Sequence, residues 1–183
     1  MKYILLTVFT CCTLLTTSAQ DAIDKSPLDV SYYPAGYPLL KVQDKVSGAP
    51  LARIIFSRPQ KNGRPIFGNL IEYGKLWRLG ANEATEIEFF KNVDILGNTI
   101  RKGRYTLYAI PHPDKWTIII NKDTDSWGTF KYSKDKDVAR FDVPVQTLET
   151  PVEYFNAYFE KNGKTAGLMI MWDNVRVTIP ISL

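Results

Sequence analysis

The feature that most constrains this chain is the strict alternation near its C-terminus, where Val175, Val177, Ile179 and Ile181 alternate with Arg176, Thr178 and Pro180. Successive side chains of an extended strand point to opposite faces, so this pattern gives one apolar and one mostly polar face and predicts a half-buried β-strand. Just upstream, Asn162-Gly163 separates two strand-length runs at 152–160 and 164–172. Asn-Gly favours the positive φ angles of a type I′ hairpin turn. Asp173-Asn174 offers a second turn into the last strand, so the C-terminal third is expected to be a three-stranded antiparallel meander.

The same reasoning extends upstream. Residues 51–57, 85–91, 105–110, 116–121 and 139–143 are runs of strand length rich in β-branched and aromatic residues. Gly97-Asn98 between 93–96 and 99–100 predicts another tight hairpin. After the N-terminal segment, no stretch of helical length shows an apolar stripe at i, i+3, i+4. Many short strands, frequent turns and no alternation of strand with helix predict an all-β protein. The expected architecture is an antiparallel β-sandwich or related barrel with few or no helices.

The N-terminus has a different character. Lys2 is followed by an apolar run at 4–15, then by Thr16, Thr17, Ser18 and Ala19, then by polar Gln20 and Asp21. A charged start, a short apolar stretch and small residues at the cleavage position form a secretory leader, and the run is too short to span a bilayer as a helix. A buried helix would instead show polar residues between apolar ones. Residues 1–19 are therefore expected to be a signal peptide cleaved after Ala19, with residues 20–183 forming a single β-rich domain in the periplasm or outside the cell. No stable membrane insertion is expected after cleavage. Both cysteines, Cys11 and Cys12, leave with the leader, so the mature chain has no thiol for a disulfide, nucleophile or metal site. The apolar run continues past both cysteines, which disfavours a lipid anchor there.

Charge narrows the partners. The chain has 23 basic and 19 acidic residues, and acidic residues are interleaved with basic ones, as in Lys134-Asp135-Lys136-Asp137. Nucleic-acid binding calls for a concentrated basic face, so none is expected.

Three segments carry a resemblance. They are S-R-P followed by G-R-x-I-F-G between Ser57 and Gly68, Y-G-K-x-W-R-x-G-A-N-E-A-T from Tyr73 to Thr85, and N-K-D followed by W-G-x-F-x-Y from Asn121 to Tyr132. With these the chain resembles the domain-of-unknown-function family 2911 of exported bacterial proteins, over roughly residues 26–143. The resemblance implies an exported β-rich domain and supplies no catalytic residues. Leu79 departs from it, standing where a small polar residue is expected, which argues against a polar ligand at that position. The C-terminal strands lie outside the stretch that carries the resemblance.

The candidate surface is the loop 58–85, which gathers Arg58, Arg64, Trp77, Arg78, Asn82, Glu83 and Thr85 beside Tyr73 and several glycines. Guanidinium forks and aromatic faces suit a small anionic or carbohydrate ligand, or a partner protein. The structural alternative is that Arg78 pairs with Glu83, that Asn82 and Thr85 satisfy backbone groups, and that Trp77 fills the core.

Catalytic signatures are sparse, and no catalytic residue is assigned. His112 is the single histidine, sits between Pro111 and Pro113, and has no G-x-S-x-G serine to serve. One histidine cannot supply a transition-metal site, so no metal is expected. Residues 121–125 begin like a calcium loop, but Ser126 replaces the glycine and Tyr132 the closing glutamate, so a turn is the better reading. Nucleotide-binding loops are absent and no cofactor is expected. The enzymatic alternative is a glycan-acting hydrolase using Glu83 with a second carboxylate, Glu86 or Glu88. Against it, Glu86 and Glu88 alternate with Ile87 and Phe89, as the outer face of a strand would.

Overall fold

The structure, a computed structural model, describes residues 24–163 and 165–182. The leader assigned above, with Cys11 and Cys12, lies outside the described residues. The elements in chain order are β1 (Leu28–Tyr33), α1 (Tyr37–Val42), β2 (Ala52–Ser57), β3 (Glu86–Phe89), β4 (Val93–Ile95), β5 (Asn98–Ile100), β6 (Gly103–Pro111), β7 (Lys115–Asn121), β8 (Asp137–Asn162) and β9 (Thr165–Ile181). Seven strands form one antiparallel sheet in the order β1-β2-β3-β6-β7-β8-β9, and β4-β5 is a separate hairpin. The all-β antiparallel architecture expected from the alternation is therefore present.

The sheet curls because β8 serves two neighbours in turn. Its first residues pair with β7, from Lys115↔Pro144 to Asn121↔Asp137. The remainder pairs with β9, and that register shifts between Thr147 and Val152 and again between Val152 and Asn156. Bulges of this kind bend a strand and increase its twist. The bend brings Phe155 edge-on to Phe56 of β2 at 6.0 Å and Phe159 to Tyr33 of β1 at 6.3 Å. The chain leaving β2 closes the curl: Lys61 N–H donates to Glu153 O at 2.8 Å, and Phe155 N–H to Pro59 O at 2.9 Å.

The core lies inside this curl and is built from alternate residues of each strand, among them Ile54 and Phe56, Ile87 and Phe89, Ile118 and Ile120, and Leu168 and Ile170. At its centre Trp77, Trp116, Phe155 and Trp172 pack with ring centroids 5.5–6.2 Å apart. A smaller cluster, Ala84, Tyr108 and Ile119, covers the outer face of β6 and β7 beneath the loops at 76–85 and 126–132. Burial there pushes the Tyr108 hydroxyl pKa up.

Four local expectations need correction. The C-terminal meander is instead one long hairpin: β9 runs unbroken through Asp173-Asn174. Members of the main core along it are even-numbered up to Trp172 and odd-numbered from Val175. Asp173, at φ 53°, thus marks a shift in alternation rather than a reversal of the chain. The hairpin turn at the far end falls one residue later than Asn162-Gly163 suggests, because Asn162 pairs with Thr165. The β4–β5 turn falls one residue earlier than expected, at Leu96 and Gly97, with φ 52° and 80°. Both values are positive, as a type I′ turn requires. Finally, β1 and the six-residue α1 were not anticipated. Among the described residues no helix is long and apolar enough to cross a membrane.

Candidate functional site

Between β2 and β3 the chain makes a long excursion, 58–85, that wraps one end of the curled sheet. Trp77 ties it down: its backbone exchanges hydrogen bonds with Ala109 of β6 at 2.7 and 2.9 Å. This sends the indole inward, where it is 6% exposed and its Nε1–H donates to Gly80 O at 3.1 Å. Leu79 is fully buried at φ 54°, so it belongs to the core and not to a polar surface. The turn that follows is closed by Thr85, whose hydroxyl donates to Leu79 O and whose N–H donates to Arg78 O. Ser57 on β2 clamps it from below, donating to Ala81 O at 2.6 Å and accepting from Ala81 N–H at 2.7 Å.

This wrapping leaves a cleft of about 450 Å³ over the buried edges of Trp77 and Trp172. Its walls carry three cations, Arg64, Lys75 and Arg78, against one carboxylate, Glu72. Arg64 is pre-positioned by backbone acceptors, its Nε–H donating to Lys61 O at 2.9 Å and its Nη2 to Gln60 O at 2.5 Å. Arg78 is the unusual group. It is half-buried, its Nε has no hydrogen-bond partner, and it makes no ion pair among the described residues. Burial pulls its pKa below the ordinary guanidinium range. A guanidinium nonetheless stays charged near neutral pH, so the cleft wall holds a partly desolvated positive charge with no counter-ion among the described residues.

Of the seven residues singled out from sequence, the structure brings Arg64, Trp77 and Arg78 together on the cleft. The other four lie elsewhere. Arg58 pairs with Asp29 at 2.8 Å on the β1–β2 edge. Asn82 donates to Asp24 at 2.7 Å, and its carbonyl accepts from Gly128 N–H. Glu83 is exposed and bridges by backbone to Trp127, while Thr85 is 1% exposed. The structural alternative therefore describes Trp77 and Thr85, but the Asn82 side chain bonds the Asp24 carboxylate rather than a backbone group, and the Arg78–Glu83 pair is not formed. Glu86 and Glu88 face outward on β3, held by Arg104 and Arg53 respectively, and neither lines the cleft.

Sequence reasoning passed over Lys75, Glu72 and Trp172. Lys75 sat within the quoted Tyr73–Thr85 block and was legible as a third cation. Trp172 carried no local signal, since only the β8–β9 hairpin brings it under the loop. The calcium-like segment is a turn built by Asn121, which is 1% exposed, donates to Ser133 O and Asp137, and accepts from Asp123 N–H. Among the described residues no group of three or more His, Cys, Asp or Glu side chains is placed to hold a metal ion.

Fold and site together define an antiparallel β-domain with a cationic cleft set over an aromatic core. The chain matches the family described as Protein of unknown function (DUF2911) over residues 38–181, and it belongs to that family. The match reaches to the end of β9, so the C-terminal hairpin, left outside the resemblance read from sequence, is part of the family's domain. No curated protein and no solved structure matches the chain.

Proposed function

We propose that the protein is an exported, non-catalytic binding domain whose cleft takes a small organic anion through a carboxylate or phosphate group. The observation that carries this reading is Arg78, a half-buried arginine on the cleft wall with an unbonded Nε and no ion pair among the described residues. A bound oxyanion would supply the missing counter-charge, and a planar guanidinium matches carboxylate and phosphate geometry. Arg64 and Lys75 add charge at the rim. The indoles beneath are committed to core packing, which favours an anion over a stacked sugar at this site. The cleft holds Glu72 as its single carboxylate, so it lacks the pair that glycoside hydrolysis needs.

The test is a thermal-shift and calorimetric screen of residues 20–183 against phosphate, phosphate esters and di- and tricarboxylates. An anion at a hundred times its Kd stabilises the folded state by about 2.7 kcal/mol, or roughly 5–10 °C for a domain of this size. Arg78→Ala weakens that ligand by about tenfold or more. Arg78→Leu abolishes binding yet raises the stability of the empty protein by about 1 kcal/mol, because a partly desolvated, unpaired charge is removed. A ligand shift that survives Arg78→Ala unchanged sinks this reading.

The leader-like segment 1–19 supports export. Mass spectrometry of protein recovered from its own cells through a C-terminal tag should give a chain beginning at Gln20, in the periplasmic or extracellular fraction. A retained N-terminus would count against it.

A further inference from the structure

The segment that follows β7 carries two aromatic side chains that the fold leaves uncovered. Trp127 is 59% exposed and Phe130 83%, whereas Trp77, Trp116 and Trp172 are all 6% exposed or less. Their backbone is held firmly. Ala84 N–H donates to Ser126 O at 2.9 Å and Gly128 N–H to Asn82 O at 3.0 Å, which brackets Trp127 between two hydrogen bonds to the neighbouring loop. Gly128 has φ 63°, and a Cβ there would sit 3.2 Å from the Phe130 ring and 3.2 Å from Arg78 Nη1. A side chain at this position would push the loop away from its support. The two rings are thus presented outward by an ordered loop.

They border a groove of about 400 Å³ whose other walls include Asp123, Thr124, Asp125 and Lys131. Among the described residues both carboxylates are fixed through one oxygen only. Asp125 Oδ2 accepts from Arg104 and Thr124, and Asp123 Oδ1 pairs with Lys136 at 2.8 Å. This leaves Asp125 Oδ1 and Asp123 Oδ2 as oriented acceptors, with the Lys131 ammonium as a donor beside them.

We propose that this groove is a carbohydrate-binding site for a neutral pyranose chain, separate from the anion cleft and independent of it. A pyranose presents an apolar C–H face, which an exposed indole or phenyl ring covers, and an equatorial rim of hydroxyls that carboxylates and ammonium groups bond. A wholly apolar partner would bury the second oxygen of each carboxylate without a hydrogen bond. An anionic polymer or lipid surface would meet the two aspartates at close range.

The probes are maltohexaose, cellohexaose, xylohexaose and chitohexaose, titrated calorimetrically and by tryptophan emission into residues 20–183. At least one binds with Kd of about 1 mM or tighter. Its binding shifts the emission to the blue, since Trp127 is the exposed indole. Trp127→Ala and Phe130→Ser each weaken it by about tenfold or more with the far-ultraviolet circular dichroism unchanged, while Arg64→Ala, on the cleft and away from the groove, leaves it intact. The proposal is overturned if no oligosaccharide of the four binds or if Trp127→Ala binds as well as the wild type. It is equally overturned if the groove instead captures an apolar peptide or anionic phosphatidylglycerol vesicles. Sugar binding that is lost with Arg64→Ala but kept in Trp127→Ala would overturn the proposal and move the glycan to the cleft.

Discussion

Trp77→Ala is expected to lower the unfolding free energy by about 4 kcal/mol, seen as a drop in the denaturant midpoint with little change in slope. The indole touches Phe67, Trp116, Phe155 and Trp172 with centroids 5.5–6.2 Å away, so its removal opens a large cavity at the centre of the core. Those partners come from the excursion 58–85 and from β7, β8 and β9, and they cannot all collapse into the gap. Two milder variants separate packing from hydrogen bonding. Trp77→Phe loses the Nε1–H bond to Gly80 O and leaves that carbonyl to find another donor. Trp116 is fully buried, yet its Nε1–H has no partner among the described residues. Trp116→Phe removes an unsatisfied buried donor and should therefore cost less than Trp77→Phe, despite the deeper burial of Trp116. Equal costs for the two Phe variants would show that ring volume alone decides.

Gly80→Ala is expected to cost about 3 kcal/mol for two separable reasons. Gly80 sits at φ 152°, a conformation that L side chains rarely adopt. Its Cβ would also lie 2.6 Å from Ser57 Oγ, the hydroxyl that clamps Ala81. In Gly80→Ala/Ser57→Ala the steric conflict is gone but the backbone strain and the lost hydrogen bonds remain. The double variant should consequently be less destabilised than the two single costs added together. Strict additivity, measured by chemical denaturation, would mean that the serine moves aside freely and that φ carries the whole effect. Because Gly80 and Ala81 line the cleft, Gly80→Ala is expected to weaken anion binding as well.

What sequence made legible was whatever depends on neighbours in the chain. Period-two alternation located β2, β3, β6, β7 and parts of β8 and β9, because one buried face imposes that pattern locally. The outward direction of Glu86 and Glu88 followed from the same rule, as did the hairpin joining β4 and β5. The element boundaries slipped where a bulge imitates a turn. At Asp173-Asn174 the residues that favour a reversal of the chain also tolerate the positive φ of an irregularity within a strand, and only pairing with β8 distinguishes the two. β1 was missed because its residues are exposed or half-buried on an edge strand, with little alternation to detect.

The candidate site divides in the same way. The density of Arg58, Arg64, Trp77 and Arg78 marked the loop, and the family block from Tyr73 to Thr85 marked it again. Which of its polar residues face a cleft was beyond sequence, because each one's environment comes from elsewhere: Asp29 for Arg58, Asp24 for Asn82 and the Leu79 carbonyl for Thr85. Glu83 offers no pair to Arg78, so the arginine on the cleft wall has no ion-pair partner among the described residues. The exposure of Trp127 and Phe130 was equally hidden, since an aromatic-rich run reads as core until packing is known. Sequence by itself determined the all-β class, much of the strand pattern and the family, since these rest on local chemistry repeated along the chain. The curl of β8, the Trp77–Trp116–Trp172 core and the unpaired Arg78 were decided by tertiary structure alone, because each is a contact between segments that only the folded sheet brings together.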